Sequence, residues 1–95
     1  MHLKIQNLVQ PSQGQIQKLH IDEIELAINE TGANLSLENM DSCYFVISGY
    51  GTLKVDEYLY SLSPQSSVYI PAGNDHWFNN SGNVGLRLVR YYTKA

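Results

Sequence analysis

The ten residues PAGNDHWFNN, Pro71–Asn80, decide how this chain folds. Pro71 fixes its own φ and removes an amide donor, so a strand ends there, and Gly73 permits the positive φ of a sharp reversal. His76 then opens a strand whose side chains alternate, with His76 and Phe78 on one face and Trp77 and Asn79 on the other. A sheet that closes on itself makes one face interior. The His76 face is expected to be that one, near the mouth of a barrel. Asn80 is expected to hold the next turn by bonding its side chain to the backbone.

Outward from this stretch the chain reads as strands. Glu23–Glu30 alternates, with Ile24, Leu26 and Ile28 on one face. Asn34–Glu38 is a short second strand. Cys43–Ser48 is apolar on both faces and belongs in the middle of a sheet, with Cys43 expected as a buried small hydrophobe. Gly49-Tyr50-Gly51 breaks it before Thr52–Val55 resumes. Further strands are expected at Glu57–Leu62, Ser67–Pro71, Trp77–Asn79 and Gly85–Tyr92. Many short strands separated by turn signals predict an all-β sandwich or barrel over residues 18–95, with residues 1–17 as an N-terminal arm or edge strand.

A chain of 95 residues supports one modest core, read here as one domain. Its 43% hydrophobic and 16% charged residues are those of a globular protein. A formal charge of -3, with six scattered Lys and Arg, predicts no nucleic-acid partner. No apolar run is long enough to span a bilayer, and no signal-peptide core opens the sequence, so no membrane partner is expected. The lone Cys43 excludes an internal disulfide and a cysteine zinc site, and a reduced, cytoplasmic setting is expected.

From Tyr44 onward the order of elements resembles the cupin family, small β-barrels of jelly-roll type. Pro71, Gly73, His76 and Asn80 match the family's second motif at each spacing, although Gln65 stands where its leading glycine belongs. Phe45–Leu62, FVISGYGTLKVDEYLYSL, resembles the strand, glycine turn and strand that join the two motifs. The resemblance implies a cupin-type jelly-roll barrel that takes a small-molecule ligand. It also implies pairing of two barrels as a homodimer, with Met1–Gln17 (Leu3, Ile5, Leu8, Val9 and Ile16 its apolar residues) reaching a partner's sheet edge.

The family's first motif supplies two histidines and a glutamate as metal ligands. With Gly49 as its closing glycine, the glutamate position falls on Ser42 and the histidine positions on Leu35 and Leu37, or on Ser36 and Glu38. His76 alone survives, with Glu38 a possible second ligand in one register. A first-row metal needs about three firm protein ligands, so no metal and no cofactor are expected. A competing register through His20-x-Asp22, Glu25 and Gly32 has the wrong inner spacing and reads as coincidence.

Metal-free relatives imply a histidine base with a tyrosine acid, as in isomerases, epimerases or cyclases acting on small polar metabolites. Here His76 is the candidate base, with Tyr44 and Tyr69 as candidate acids. Phe78, Tyr58 and Tyr60 are candidate cavity wall. Arg87 and Arg90 lie three apart in one strand and face opposite ways, so one should look inward to hold a ligand. The alternative is a non-catalytic module binding a small ligand, saccharide or protein partner, in which His76 is an inert scaffold histidine. His2 and His20 are expected at the surface.

Overall fold

The computed structural model describes residues 3–9 and 19–95. Among them there are nine strands and no helix: β1 Leu3–Val9, β2 Leu19–Leu26, β3 Ala33–Asn34, β4 Met40–Ser48, β5 Gly51–Val55, β6 Tyr58–Leu62, β7 Ser67–Ile70, β8 His76–Asn80 and β9 Leu86–Lys94. They pair antiparallel into a five-stranded sheet ordered β1-β2-β9-β4-β7 and a four-stranded sheet ordered β3-β8-β5-β6. The two sheets face each other across one core, and this is the jelly roll expected from the sequence.

Alternation explains the core. On the inner face of the larger sheet, Ile24, Leu88 and Val46 lie in one row across β2, β9 and β4, with Leu26 and Leu86 below them. Leu53 and Phe78 answer from the smaller sheet, and all seven are buried. The rows above are polar. Asp22, Arg90 and Tyr44 form the next one, and His20, Tyr92 and Ser42 the one after. The barrel interior is therefore oily at one end and hydrogen-bonding at the other.

The glycines of Gly49-Tyr50-Gly51 have separate tasks. Gly49 takes φ 94°. Gly51 lets β5 press against β8, where a Cβ would collide with the Asn79 carbonyl oxygen. Asn80 does more than hold one turn. Its Nδ2 donates to the carbonyls of Leu26, Ala27 and Val84 and its Oδ1 accepts from the Gly82 amide, so it ties the end of β2 to the β8–β9 connection.

Several sequence expectations change, the first being that the strand expected over Asn34–Glu38 is only the two-residue β3, Ala33–Asn34. β2 runs over Leu19–Leu26 and not Glu23–Glu30, because Asn29 at φ 68° turns the chain and leaves Ile28 exposed. Its first half escaped notice because the inward positions there are His20 and Asp22, which break the apolar pattern. Cys43 lies half-buried on the outer face, not in the core. The described part of the N-terminal stretch, β1, is an edge strand on its own chain's sheet, pairing Ile5 with Ile24 and Asn7 with Asp22. His2, Ile16 and the rest of 10–18 lie outside the described residues. Among those described, no helix is long and apolar enough to cross a membrane.

Candidate ligand-binding site

The polar end of the barrel is built around His76. The β7–β8 turn through Gly73, at φ 83°, delivers His76 onto the inner face of β8, where it is 1% exposed. Its backbone amide donates to Ser36 Oγ at 2.8 Å, which anchors the start of β8 to the segment after β3. The ring Nδ1 faces the Asn74 carbonyl at 2.9 Å and must donate to it. Nε2 is therefore the acceptor, and the Tyr44 hydroxyl donates to it at 2.7 Å. Both ring nitrogens are engaged. Burial, helped by the Arg90 charge and opposed by the Asn74 bond, holds His76 below its ordinary pKa, so the ring is neutral at pH 7. Burial pushes the Tyr44 phenol up to about 12, against the Arg90 charge. The proton between the two rings stays on the tyrosine.

Beside this pair, Arg90 Nη2 meets Asp22 Oδ2 at 2.6 Å, with side chains only 7% and 3% exposed. Asn7 of β1 donates to Asp22 Oδ1 at 2.8 Å. Burial alone would raise the Asp22 carboxyl, but the bonds from Asn7 and Arg90 and the Arg90 charge outweigh it and hold it low. The guanidinium lies 4.7 Å from the Tyr92 ring centroid, and His20 stacks on that ring at 4.5 Å. Among the described residues, Arg90 Nε is a buried nitrogen with no partner.

Of the candidate residues, the structure brings His76, Tyr44, Phe78 and Arg90 together, and it disperses the others. Phe78 is core, 4.7 Å centroid to centroid from Tyr44 and 5.9 Å from His76. Tyr69 pairs in register with Cys43 on the outer face and is 61% exposed, so it cannot serve as an acid partner to His76. Arg87 points outward to Glu23 at 2.6 Å and does not enter the barrel. Tyr58 and Tyr60 stand opposite Val55 and Leu53, so they share the inner face of their sheet, but on its edge strand, where they open to solvent. Glu38 is exposed, at a surface cavity of about 460 Å³ that it shares with Ser36 and Asp75 and that His76 does not line.

Asp22, His20 and Tyr92 were missed as site residues, and His20 is half-buried on the inner face, not at the surface. The signal was present as His20-x-Asp22. Period two carries both residues onto the face that Ile24 and Leu26 already mark as interior.

The metal site of the fold does not fit these residues. Leu35 is buried inward, Leu37 is half-buried at the surface cavity it shares with Glu38, and Ser42 fills the carboxylate position. His76 Nε2, the remaining donor, already accepts from Tyr44. Among the described residues, no three His, Cys, Asp or Glu side chains gather closely enough to hold a metal ion.

An antiparallel jelly roll with a Pro-x-Gly-x-x-His turn feeding one inward histidine defines a small-molecule-binding barrel fold. The cupin domain family model matches residues 22–92, and the chain belongs to the cupin family. Among solved structures, the chain is similar to a predicted oxalate decarboxylase from Thermotoga maritima (TM-score 0.86, 14% identity, covering 98% of this chain and 81% of that one). It is also similar to the Cnp3 cupin domain of Schizosaccharomyces pombe (TM-score 0.85, 14% identity, 98% of this chain), of which it spans 61%. The cupin domain of an XRE family transcriptional regulator from Enterobacter cloacae matches over 98% of this chain and 97% of its own length, at TM-score 0.83 and 18% identity. At such identities the likeness is one of fold. No curated protein matches the sequence.

Proposed function

We propose that this chain is a metal-independent, non-catalytic cupin module that binds a small molecule, with His76 and Tyr44 serving the scaffold. The observation that carries this is the state of His76: 1% exposed, with both ring nitrogens bonded inside the protein. A general base must reach the proton it abstracts. Here Nε2 holds the Tyr44 proton, and no substrate atom can lie between the two rings at 2.7 Å. The cupin domain of the Enterobacter cloacae transcriptional regulator is a precedent for such a barrel within a regulator.

A second reading, a metal-free isomerase, epimerase or cyclase with His76 as base and Tyr44 as acid, has the same 2.7 Å contact in its favour. It requires a substrate to part the pair. The test is a panel of sugars, organic acids and amines incubated with the protein and followed by NMR. The module reading expects some compounds to raise the melting temperature while none is consumed. Consumption by the wild type that is lost in a folded His76→Gln variant would overturn it.

Association as a homodimer belongs to the same proposal. Phe45, Ile47 and Tyr91 expose apolar surface on the outer face of the larger sheet at 37%, 37% and 41%. A two-fold contact between copies would cover them. The lone half-buried Cys43 supports a reduced, cytoplasmic setting.

A further inference from the structure

The two sheets do not close on each other at one side. β6 is the outer strand of the smaller sheet and β7 the outer strand of the larger, and a groove of about 240 Å³ runs between them. Its floor includes Val55, Val68 and Ile70, which belong to the inner faces of the sheets. Two tyrosines of β6, Tyr58 and Tyr60, line it from the inner face with ring centroids 6.5 Å apart, and Tyr69 of β7 reaches only its outer rim. Tyr58 and Tyr60 are 67% and 44% exposed, so their rings are open to a bound group.

The charge of the groove selects its occupant. Asp56 lines it from the two-residue β5–β6 turn, at φ 53°, and no Lys, Arg or His does. Among the described residues, the Asp56 carboxylate makes no hydrogen bond or ion pair, and the Tyr58 and Tyr60 hydroxyls make no hydrogen bond. A phosphate or carboxylate would meet a like charge and no cation. A cation would meet ring faces, which carry negative potential, and an unpaired carboxylate.

We infer that the groove between β6 and β7 binds a small alkylammonium cation, held against Tyr58 and Tyr60 and neutralised by Asp56. A methylated ammonium fits better than a bare one, because its methyl groups find the apolar floor while its charge is spread over the rings. This deepens the proposed function by naming the ligand class and a site for it, and it rests on the non-catalytic binding reading. The rings are partly solvated, so the affinity is set in the millimolar range, on the order of a few kcal/mol.

The experiment is a titration of the ¹⁵N-labelled protein with choline chloride, with 3,3-dimethylbutan-1-ol as its uncharged carbon isostere and sodium chloride for ionic strength. Choline should shift the amides of β6, β7 and the Asp56 turn saturably, and the isostere should bind at least about tenfold more weakly. Tyr60→Ala and Asp56→Asn should each weaken choline about two- to fivefold, whereas Tyr60→Phe, which keeps the ring, should leave it nearly unchanged. Unchanged melting temperatures in these exposed-site variants establish that the fold is intact. Equal binding of the isostere, or no saturable shift with choline, overturns the inference. A neutral sugar or an organic acid saturating the same amides or those around His20 and Tyr92 would overturn the cation and leave the binding-module reading standing. The absence of any ligand across the panel would sink both.

Discussion

Replacing Arg90 by methionine would strand the Asp22 carboxylate inside the barrel. The side chain is 3% exposed and would keep Asn7, at 2.8 Å from Oδ1, and the Tyr92 hydroxyl, both uncharged, once its 2.6 Å partner on Oδ2 is gone. Breaking a buried ion pair from one side costs about 3–5 kcal/mol. A chain of 95 residues has about 5–14 kcal/mol in all, so this one change removes a large part of it. The outward pair offers a control at the same separation. Arg87 and Glu23 also meet at 2.6 Å but are 43% and 31% exposed. Arg87→Met is expected to leave the urea midpoint nearly unchanged, because solvent screens an exposed pair. Removing both inner partners, as Asp22→Leu with Arg90→Met, should recover most of the loss, because the native pair already carries the unpartnered Arg90 Nε. Urea unfolding followed by the fluorescence of Trp77, the only tryptophan, measures all four proteins, with the comparison confined to variants of unchanged m-value. A loss below about 1 kcal/mol for Arg90→Met, or a double variant as unstable as the single, would refute the account.

His76→Ala should destabilise the fold by about 2–4 kcal/mol, since it opens a cavity and leaves the Tyr44 hydroxyl only the longer 3.3 Å contact with the Leu35 carbonyl; an unchanged urea midpoint would contradict the buried-scaffold role. Stability should fall on acidification from pH 6.5 downward, because His76 is held below that value in the fold and protonates first in the unfolded chain. Asp22 adds a further loss as pH falls below 3.8, and a His76→Gln variant should lack the first of these two phases in a pH series of melting temperatures. At the alkaline end, Tyr44 should contribute stability up to pH 10 that is lost as pH rises toward about 12, a loss that Tyr44→Phe abolishes. Zinc, manganese, nickel and iron(II) should leave the melting temperature of chelator-treated protein unchanged; a saturable rise that disappears in a folded His76→Gln variant would show a metal site after all.

The fold was legible because its punctuation is local. Pro71, Gly73, Gly49 and Gly51 act through φ or close backbone approach, and such effects are written in the residue type itself. The inward direction of His76 and Phe78 and the opposition of Arg87 to Arg90 followed from period two alone. What alternation does not reveal is distance from the sheet edge. Tyr58, Tyr60 and Phe78 all sit on inner faces, yet Phe78 is 0% exposed in the middle of its sheet while Tyr58, on the edge strand, is 67% exposed. Strand order arises from pairings between residues far apart in sequence, and no local pattern encodes it. Asp22 was hidden for a different reason. A charge on an inward position looks like the end of a strand until its partner, here Arg90 on β9, is known to stand beside it.

The bonding state of the polar interior bears directly on where a ligand can act. A metal centre or an acid–base site needs an atom with a free valence facing an accessible space. His76 has none left, the Tyr44 hydroxyl is committed to it, and Asp22 is bonded at both oxygens. Arg90 donates from Nη1 to the Leu35 carbonyl and from Nη2 to Asp22, and its Nε is buried. These residues form one chain of contacts from Asn7 on β1 to Asn74 before β8, and they tie the edge strand to the turn that carries the second cupin motif. Free valences reappear on the flank, where the Asp56 carboxylate and the Tyr58 and Tyr60 hydroxyls are unbonded among the described residues and open to solvent. Asn74 touches both regions: its carbonyl accepts from His76 Nδ1, and the residue lines the groove. A ligand settling there would press on the segment that orients His76. The proposed binding site and the scaffold histidine are thus mechanically adjacent, although only one of them is free to meet a ligand.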